Sequence, residues 1–205
     1  TGTAATVNIT GSAGGAEIQD AIDLAASGAT INIAAGAYNE NVNVNKSVTL
    51  DGVGTADTII DNSGVLFTVA ADDVRFQDMT LQNASQGIRT YLPAGTIDNL
   101  QVNNVHFVDM SSRGIEIHND TTMTNMSVAD SLFQDTGVGI RLSSSAVGNG
   151  IDITTSIFDG GTLGFYQSND GSTGNVRDLQ ISGTTFRNFT DTAVFAEEIR
   201  DSAID

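Results

Sequence analysis

Six side chains recur at matching places behind a glycine-led segment: Arg89, Tyr91, Glu116, His118, Arg141 and Tyr166. The segments are Gly87-Ile88-Arg89, Gly114-Ile115-Glu116, Gly139-Ile140-Arg141 and Gly164-Phe165-Tyr166, with Ala193-Val194-Phe195 as a last copy. Read as strands with alternating faces, they point Ile88, Ile115, Ile140, Phe165 and Val194 inward and the next residue outward. Two residues further on, Tyr91, His118, Ser143, Ser168 and Glu197 also face out. His118 or Tyr91 is then a candidate acid or base, able to take a proton from a carbon beside a carboxylate. Arg89 or Arg141 would stabilise the negative charge that develops. The same six residues suit binding without chemistry, because aromatic faces stack on sugar rings while Arg and Glu hold hydroxyls or carboxylates in fixed geometry. They also suit a purely structural role, a cross-strand ladder Arg89–Glu116–Arg141 worth about a few tenths of a kcal/mol per pair. The other histidine, His106, precedes an inward Phe107 and reads as structural.

These side chains can share a face only if the chain stacks in register, and the repeat says that it does. Leu100 to Phe107, Met126 to Phe133, Ile151 to Phe158 and Leu179 to Phe186 follow one pattern, which Val74 to Leu81 opens. The closing residues Leu81, Phe107, Phe133, Phe158 and Phe186 are spaced by 26, 26, 25 and 28 residues (107−81, 133−107, 158−133, 186−158). A fixed period of that size marks a stacked array whose units bury their apolar faces against their neighbours. Each unit begins with period-two apolar spacing, as in Leu100/Val102 or Ile151/Ile153, which reads as a short strand. Bends follow at Asp78, Asn104, Asp130, Thr155 and Gly183, and again at Asn83, Asp109, Asp135, Gly160 and Asn188. Asn and Asp suit such bends because they tolerate left-handed backbone and bond locally to the main chain. Several short strands per unit and no helical pattern predict an all-β, right-handed, single-stranded parallel β-helix of about 26 residues per coil. The leucine-rich repeat, the rival at this period, lacks its leucine spacing here.

The first quarter differs. Ile18, Ala21, Ile22 and Ala25 share one helical face, so residues 16–27 are expected to form a short capping α-helix. Gly28 is a helix stop. Thr30 to Ile33 reads as a strand, Ala34 to Tyr38 as a turn, and Val42 to Leu50 as further strands. The stretches Ile18-Gln19-Asp20-Ala21-Ile22-Asp23, Gly28 to Val42, and Lys46-Ser47-Val48-Thr49-Leu50-Asp51-Gly52 resemble the start of right-handed parallel β-helix proteins of the pectate-lyase-like superfamily. In that family the helix caps the open end of the solenoid. The resemblance implies the fold; lyases, esterases, epimerases, adhesins and inert stalks all share it, so function must be argued from a site. The paired carboxylates of pectin methylesterases, the acidic Ca²⁺ cluster of calcium-dependent pectate lyases and the Asp-Pro-His-Glu motif of alginate epimerases find no match. Pro93 is the only proline.

The sequence divides as a single domain, 1–205, with irregular coils over 28–73 and regular coils over 74–205. Ile199 to Ile204 echoes Val176 to Ile181, so a further coil has begun at the end. The parent chain is expected to continue there, or the open end to meet a partner. Net charge is −17, from 25 acidic and 8 basic residues, Lys46 being the only lysine. Such a surface repels nucleic acid and anionic membranes, and no run of 18 apolar residues exists to insert into a bilayer. Carboxylate-rich turns make Ca²⁺ a candidate ligand, at Asp72-Asp73, Asn119-Asp120 or Asn169-Asp170, without the spacing of a known Ca²⁺ loop. The richness in Thr, Ser, Asn, Asp and Gly fits a secreted or cell-surface module, and with no cysteine there are no disulfides and no thiolate metal site. The expected function is an extracellular structural or adhesive module presenting a polysaccharide- or protein-binding face. The alternative is a polysaccharide lyase or epimerase acting on an acidic glycan through His118, Tyr91, Arg89 and Arg141.

Overall fold

In the computed structural model, which describes residues 4–11, 17–92, 94–167 and 175–205, the chain winds into a parallel β-solenoid of about seven turns. All strand pairs are parallel. A regular coil begins with a long strand such as Gln101–Val108, which bends where Asn104 takes φ of 50°. A corner at Asp109 (φ 54°) follows, then a five-residue strand, Arg113–Ile117, and the chain returns through Asp120 (φ 61°). The predicted bends at Asp78, Asp130, Thr155 and Gly183 all have positive φ, as do those at Asn83, Asp135, Gly160 and Asn188. Short polar side chains there hydrogen-bond their neighbours one coil away: Asn104 Nδ2 donates to Asp78 Oδ1 at 2.6 Å, and Thr155 Oγ1 to Asp130 Oδ1 at 2.6 Å. The bends therefore form ladders, which lowers the cost of a left-handed backbone at each one.

The closing aromatics form the predicted internal stack. Phe107, Phe133 and Phe158 are fully buried, with ring centroids 4.5 and 4.3 Å apart and planes within 4° of parallel. Phe186 continues the stack at 4.7 Å, and Leu81 lies in register beneath Phe107. The glycine of each preceding glycine-led strand makes room for these rings. A Cβ on Gly87, Gly114, Gly139 or Gly164 would lie 2.6–2.7 Å from the ring of Phe107, Phe133, Phe158 or Phe186 respectively. Phenylalanine and glycine thus occur together in the repeat because one fills the volume that the other leaves empty.

The second sheet carries the glycine-led strands. Its order follows the chain: Val42–Val44, Val65–Val69, Gln86–Thr90, Arg113–Ile117, Val138–Leu142, Leu163–Gln167 and Thr192–Ala196. Ile88, Ile115, Ile140 and Phe165 are fully buried and pair in register, as the alternation predicts.

At the N-terminus the helix spans Glu17–Leu24, with Ile18, Ala21 and Ile22 buried. It is shorter than the expected 16–27: Ala16 lies outside the described residues, and Ala25–Ile33 is one long strand that takes in the last turn of the expected helix. Ala25 is buried as part of that strand. Gly36–Tyr38, expected as turn, is a short strand paired with Thr58–Asp61. A further strand, Ala4–Ile9, lies ahead of the helix and pairs with Ala25–Ile33, extending the solenoid by one ladder. The helix is fastened by the coil that follows it. The buried Glu40 carboxylate accepts the backbone N–H groups of Ile18 and Gln19 at 2.9 and 3.1 Å, satisfying donors that the first turn leaves free. Gln19 bonds both backbone groups of Asn43, covering the edge of the second sheet's first strand. At the other end Lys46 Nζ donates to the carbonyls of Asp23 and Ala25. The last coil pairs as the sequence echo predicts, Ile199 with Val176 and Ile204 with Ile181.

Candidate functional site

The outer surface of the second sheet brings the candidate residues together. Thr68, Arg89, Glu116, Arg141, Tyr166 and Phe195 occupy one column, each paired with the next. Arg89, Arg141 and Tyr166 are half-buried, and Phe195 is 39% exposed. Tyr91 is 43% exposed and meets His118 edge to face, ring centroids 5.0 Å apart. The Arg89 guanidinium carbon lies 5.3 Å from the Tyr91 ring centre, and that of Arg141 lies 5.8 Å from the Tyr166 ring centre. Both distances are within the range of cation–π attraction, which holds each guanidinium over an aromatic face. Tyr166 and Phe195 stack at 5.4 Å, making an aromatic step at the C-terminal end of the column.

Two expectations about this face are corrected. Glu116 does not link Arg89 to Arg141. It is only 4% exposed, and its Oε1 receives Arg113 Nη1 at 3.2 Å and the Ser143 hydroxyl at 2.9 Å. The cross-strand charge ladder is thereby replaced by an ion pair within one strand. Ser143, expected as an exposed outward residue, is 5% exposed because its hydroxyl turns toward that carboxylate. Ser168 and the segment Asn169-Asp170 lie outside the described residues.

Arg113 is the member of this face that strict alternation misses. Counting back in twos from Glu116 reaches Gly114 and Ser112, which puts Arg113 inside. The structure breaks the alternation at the glycine. Gly114 and Ile115 are both buried, Gly114 under the Phe133 ring, so Arg113 emerges on the outer surface beside Gln86 of the preceding coil. A glycine unable to accept a Cβ is the signal that could have found it. Burial holds the Arg113 guanidinium below its usual range; the Glu116 charge draws it back up, and Arg141 opposes it.

The face is basic on a strongly acidic chain. Across the strands from Gln86–Thr90 to Leu163–Gln167, three guanidiniums stand against one carboxylate, Glu116. The Nε groups of Arg89, Arg113 and Arg141, Gln86 Oε1 and His118 Nδ1 are buried with no hydrogen-bond partner among the described residues. Arg89 and Arg141 form no ion pair there either. Such groups are the ones a polar ligand can satisfy, since buried donors and acceptors left alone cost about 1–3 kcal/mol each.

The turn carboxylates are otherwise engaged. Asp72 Oδ1 accepts the Asp98 N–H at 2.8 Å, and Asp73 Oδ1 accepts Asn99 Nδ2 at 2.7 Å. Asp120 is exposed and donates its backbone N–H to Ser145 Oγ at 3.0 Å. Among the described residues no three His, Asp or Glu side chains converge to hold a metal ion. His106 is half-buried in the first sheet, in register with Thr80 and Leu132, away from this face. Burial lowers its pKa.

No protein-family model matches the chain, and no curated protein matches its sequence. Among solved structures it is similar to the PL6 family alginate lyase AlyGC, with a TM-score of 0.59 and 12% identity over 98% of this chain and 38% of that one. The chain therefore spans about two fifths of the lyase's length. It also matches the A-module of the Azotobacter vinelandii mannuronan C-5 epimerase AlgE4 over 93% of this chain and 92% of that one, at 14% identity and a TM-score of 0.31. The first likeness establishes a shared parallel β-helix fold; the second is too loose to add to it.

Proposed function

We propose that this chain is a secreted or cell-surface β-helix module that binds an acidic polysaccharide along the outer face of its second sheet. One observation carries the reading. On a chain of net charge −17, Arg89, Arg113 and Arg141 gather on one face with buried donors that no group among the described residues satisfies, and tyrosines flank them. Guanidinium forks match carboxylates, and tyrosine faces match the apolar faces of sugar rings. The fold shared with an alginate lyase supports a glycan as the occupant. Nucleic acid is disfavoured by the overall charge. No described helix is long and apolar enough to cross a membrane.

A second reading rests on the contact between Tyr91 and His118, two proton-transfer groups 5.0 Å apart at their ring centres with Arg89 against Tyr91. In this reading one of the pair takes the proton on the sugar carbon beside the carboxylate, and an arginine steadies the carboxylate as it gathers charge. For a lyase, the glycosidic C–O bond then breaks, a ring double bond forms, and the leaving oxygen takes a proton. For an epimerase, the proton returns on the opposite face.

Binding to a panel of acidic and neutral polysaccharides, with and without Ca²⁺, tests the first reading, and product analysis tests the second. Binding confined to acidic glycans, lost in Arg89→Gln and Arg141→Gln, is expected. Equal binding to neutral glycans, or none to any acidic one, would refute it. An unsaturated or epimerised product that disappears in His118→Ala would establish the enzyme.

A further inference from the structure

Resting on the reading that this face binds an acidic polysaccharide, we infer that it selects a polymer lying along the solenoid axis with a carboxylate on every second sugar. Successive coils offer one central position each, in unbroken register: Thr68, Arg89, Glu116, Arg141, Tyr166 and Phe195. Parallel strands repeat about every 4.8 Å, so Arg89 and Arg141, two coils apart, anchor their charges roughly 10 Å apart along the axis. An extended pyranose advances a glycan by nearly the rise of one coil, so sugars and coils can run in step.

The coil between the two arginines sets the selectivity. Its guanidinium, Arg113, is engaged at 3.2 Å by Glu116, which also holds the Ser143 hydroxyl at 2.9 Å. On this face its strand Arg113–Ile117 is neutral in sum. From Thr68 to Phe195 the column therefore reads neutral, positive, neutral, positive, aromatic, aromatic. Carboxylates over Arg89 and Arg141 each meet a guanidinium that forms no ion pair among the described residues. A carboxylate over the middle coil meets a buried like charge, and drawing Arg113 toward it would leave Glu116 buried and unpaired, which is costly. A polymer charged on every sugar places a carboxylate there; an alternating polymer places a neutral sugar there. Beyond Arg141, the Tyr166–Phe195 step offers ring faces to uncharged sugar surface.

The test compares two probes of matched length. One is hyaluronan oligosaccharide, which alternates glucuronate with an N-acetylhexosamine; the other is oligogalacturonate, with a carboxylate on every sugar. Affinities of the whole chain are measured by calorimetry near physiological ionic strength, where charges beyond about 8 Å are screened and the overall acidity acts weakly on both probes. Hyaluronan is expected to bind about tenfold more tightly or better, a ratio set by one displaced charge contact. Glu116→Gln should erase most of that preference by raising affinity for oligogalacturonate. Arg89→Gln and Arg141→Gln should each weaken hyaluronan binding more than oligogalacturonate binding. If Glu116→Gln does not fold, the parent ratio and the two arginine variants decide the question. Equal or tighter binding of oligogalacturonate by the parent would overturn the alternation and leave the acidic-polysaccharide reading standing. Binding of neither probe, nor of any acidic glycan, would overturn both.

Discussion

Replacing Phe133 with alanine should remove more stability than any other single truncation in the aromatic stack. Phe133 is fully buried and lies between two parallel rings, at 4.5 Å from Phe107 and 4.3 Å from Phe158. Truncating a buried phenylalanine costs about 3–5 kcal/mol through lost transfer energy and the cavity left behind. Two features push Phe133 to the upper end. It loses two stacked contacts, each worth about 0.5–1.5 kcal/mol beyond area. Its ring also fills the space over Gly114, which has no side chain to collapse into the void. Phe186 is the internal control. It is only partly buried, stacks on Phe158 at 4.7 Å, and meets Phe189 at 6.3 Å with tilted planes. Phe186→Ala should cost about half as much, because less surface leaves water and fewer contacts are lost. Urea unfolding followed by far-ultraviolet circular dichroism gives both values from the midpoint and slope. The slope matters, since a solenoid weakened at its centre can unfold in two parts and show a lower apparent slope. A loss below about 1.5 kcal/mol for Phe133→Ala at unchanged slope would refute the claim that the stack holds successive coils together.

Three further outcomes follow from the same structure. Gly139→Ala should destabilise by about 1–3 kcal/mol or more, because its Cβ would lie 2.6 Å from both the Phe158 ring and the Gly164 carbonyl oxygen; a neutral effect in thermal denaturation would refute the packing argument. Glu40→Ala should cost about 0.5–2 kcal/mol by freeing the Ile18 and Gln19 N–H groups, with hydrogen exchange accelerated in the helix first. Stability should fall with acid in two windows. His106, whose pKa burial lowers from 6.5, favours its neutral form in the fold, so its contribution is complete above pH 6.5 and is lost as pH falls through the folded value. Asp98, lowered from 3.8 by hydrogen bonds from Thr124 and Asn125, contributes above that value and loses its contribution only as pH falls further. Urea midpoints measured against pH check both, and His106→Gln should abolish the upper window alone.

Much of the column on the second sheet was legible because a strand's period of two and the solenoid's period combine into a grid. Once Phe107, Phe133 and Phe158 fix the coil length, Arg89, Glu116 and Arg141 have to align. What escaped were contacts that no period encodes. Arg113 emerges outward because a glycine interrupts the alternation, and the interruption depends on a ring that belongs to a later strand. Ser143 is buried because it hydrogen-bonds a carboxylate one coil away. The strand Ala4–Ile9 has an unremarkable local sequence; its partner lies beyond a helix, and pairing at that separation leaves little trace in either segment. The helical periodicity runs past the helix's end at Leu24 because Ala25 suits a buried helical face as well as the strand Ala25–Ile33, where it is buried.

The corners keep the grid intact while the coils differ in length. Gln86 pairs with Arg113, 27 residues on (113−86), yet Arg113 pairs with Val138 after 25 (138−113), and Val147 pairs with Asn175 after 28 (175−147). From Ala29–Val48 onward the pairing does not slip within a strand, and the gains and losses are absorbed where the chain turns; the register shifts inside a strand pair only between Ala4 and Thr6, at the N-terminal end. The solenoid therefore separates pitch from ornament. Residues added at the turn after a glycine-led strand change what overhangs the arginine column without moving any arginine. A lineage built on this scaffold can remodel the loops beside the column by insertion while the spacing of the arginines stays fixed, a division of labour that a globular core, packed in three dimensions at once, does not permit.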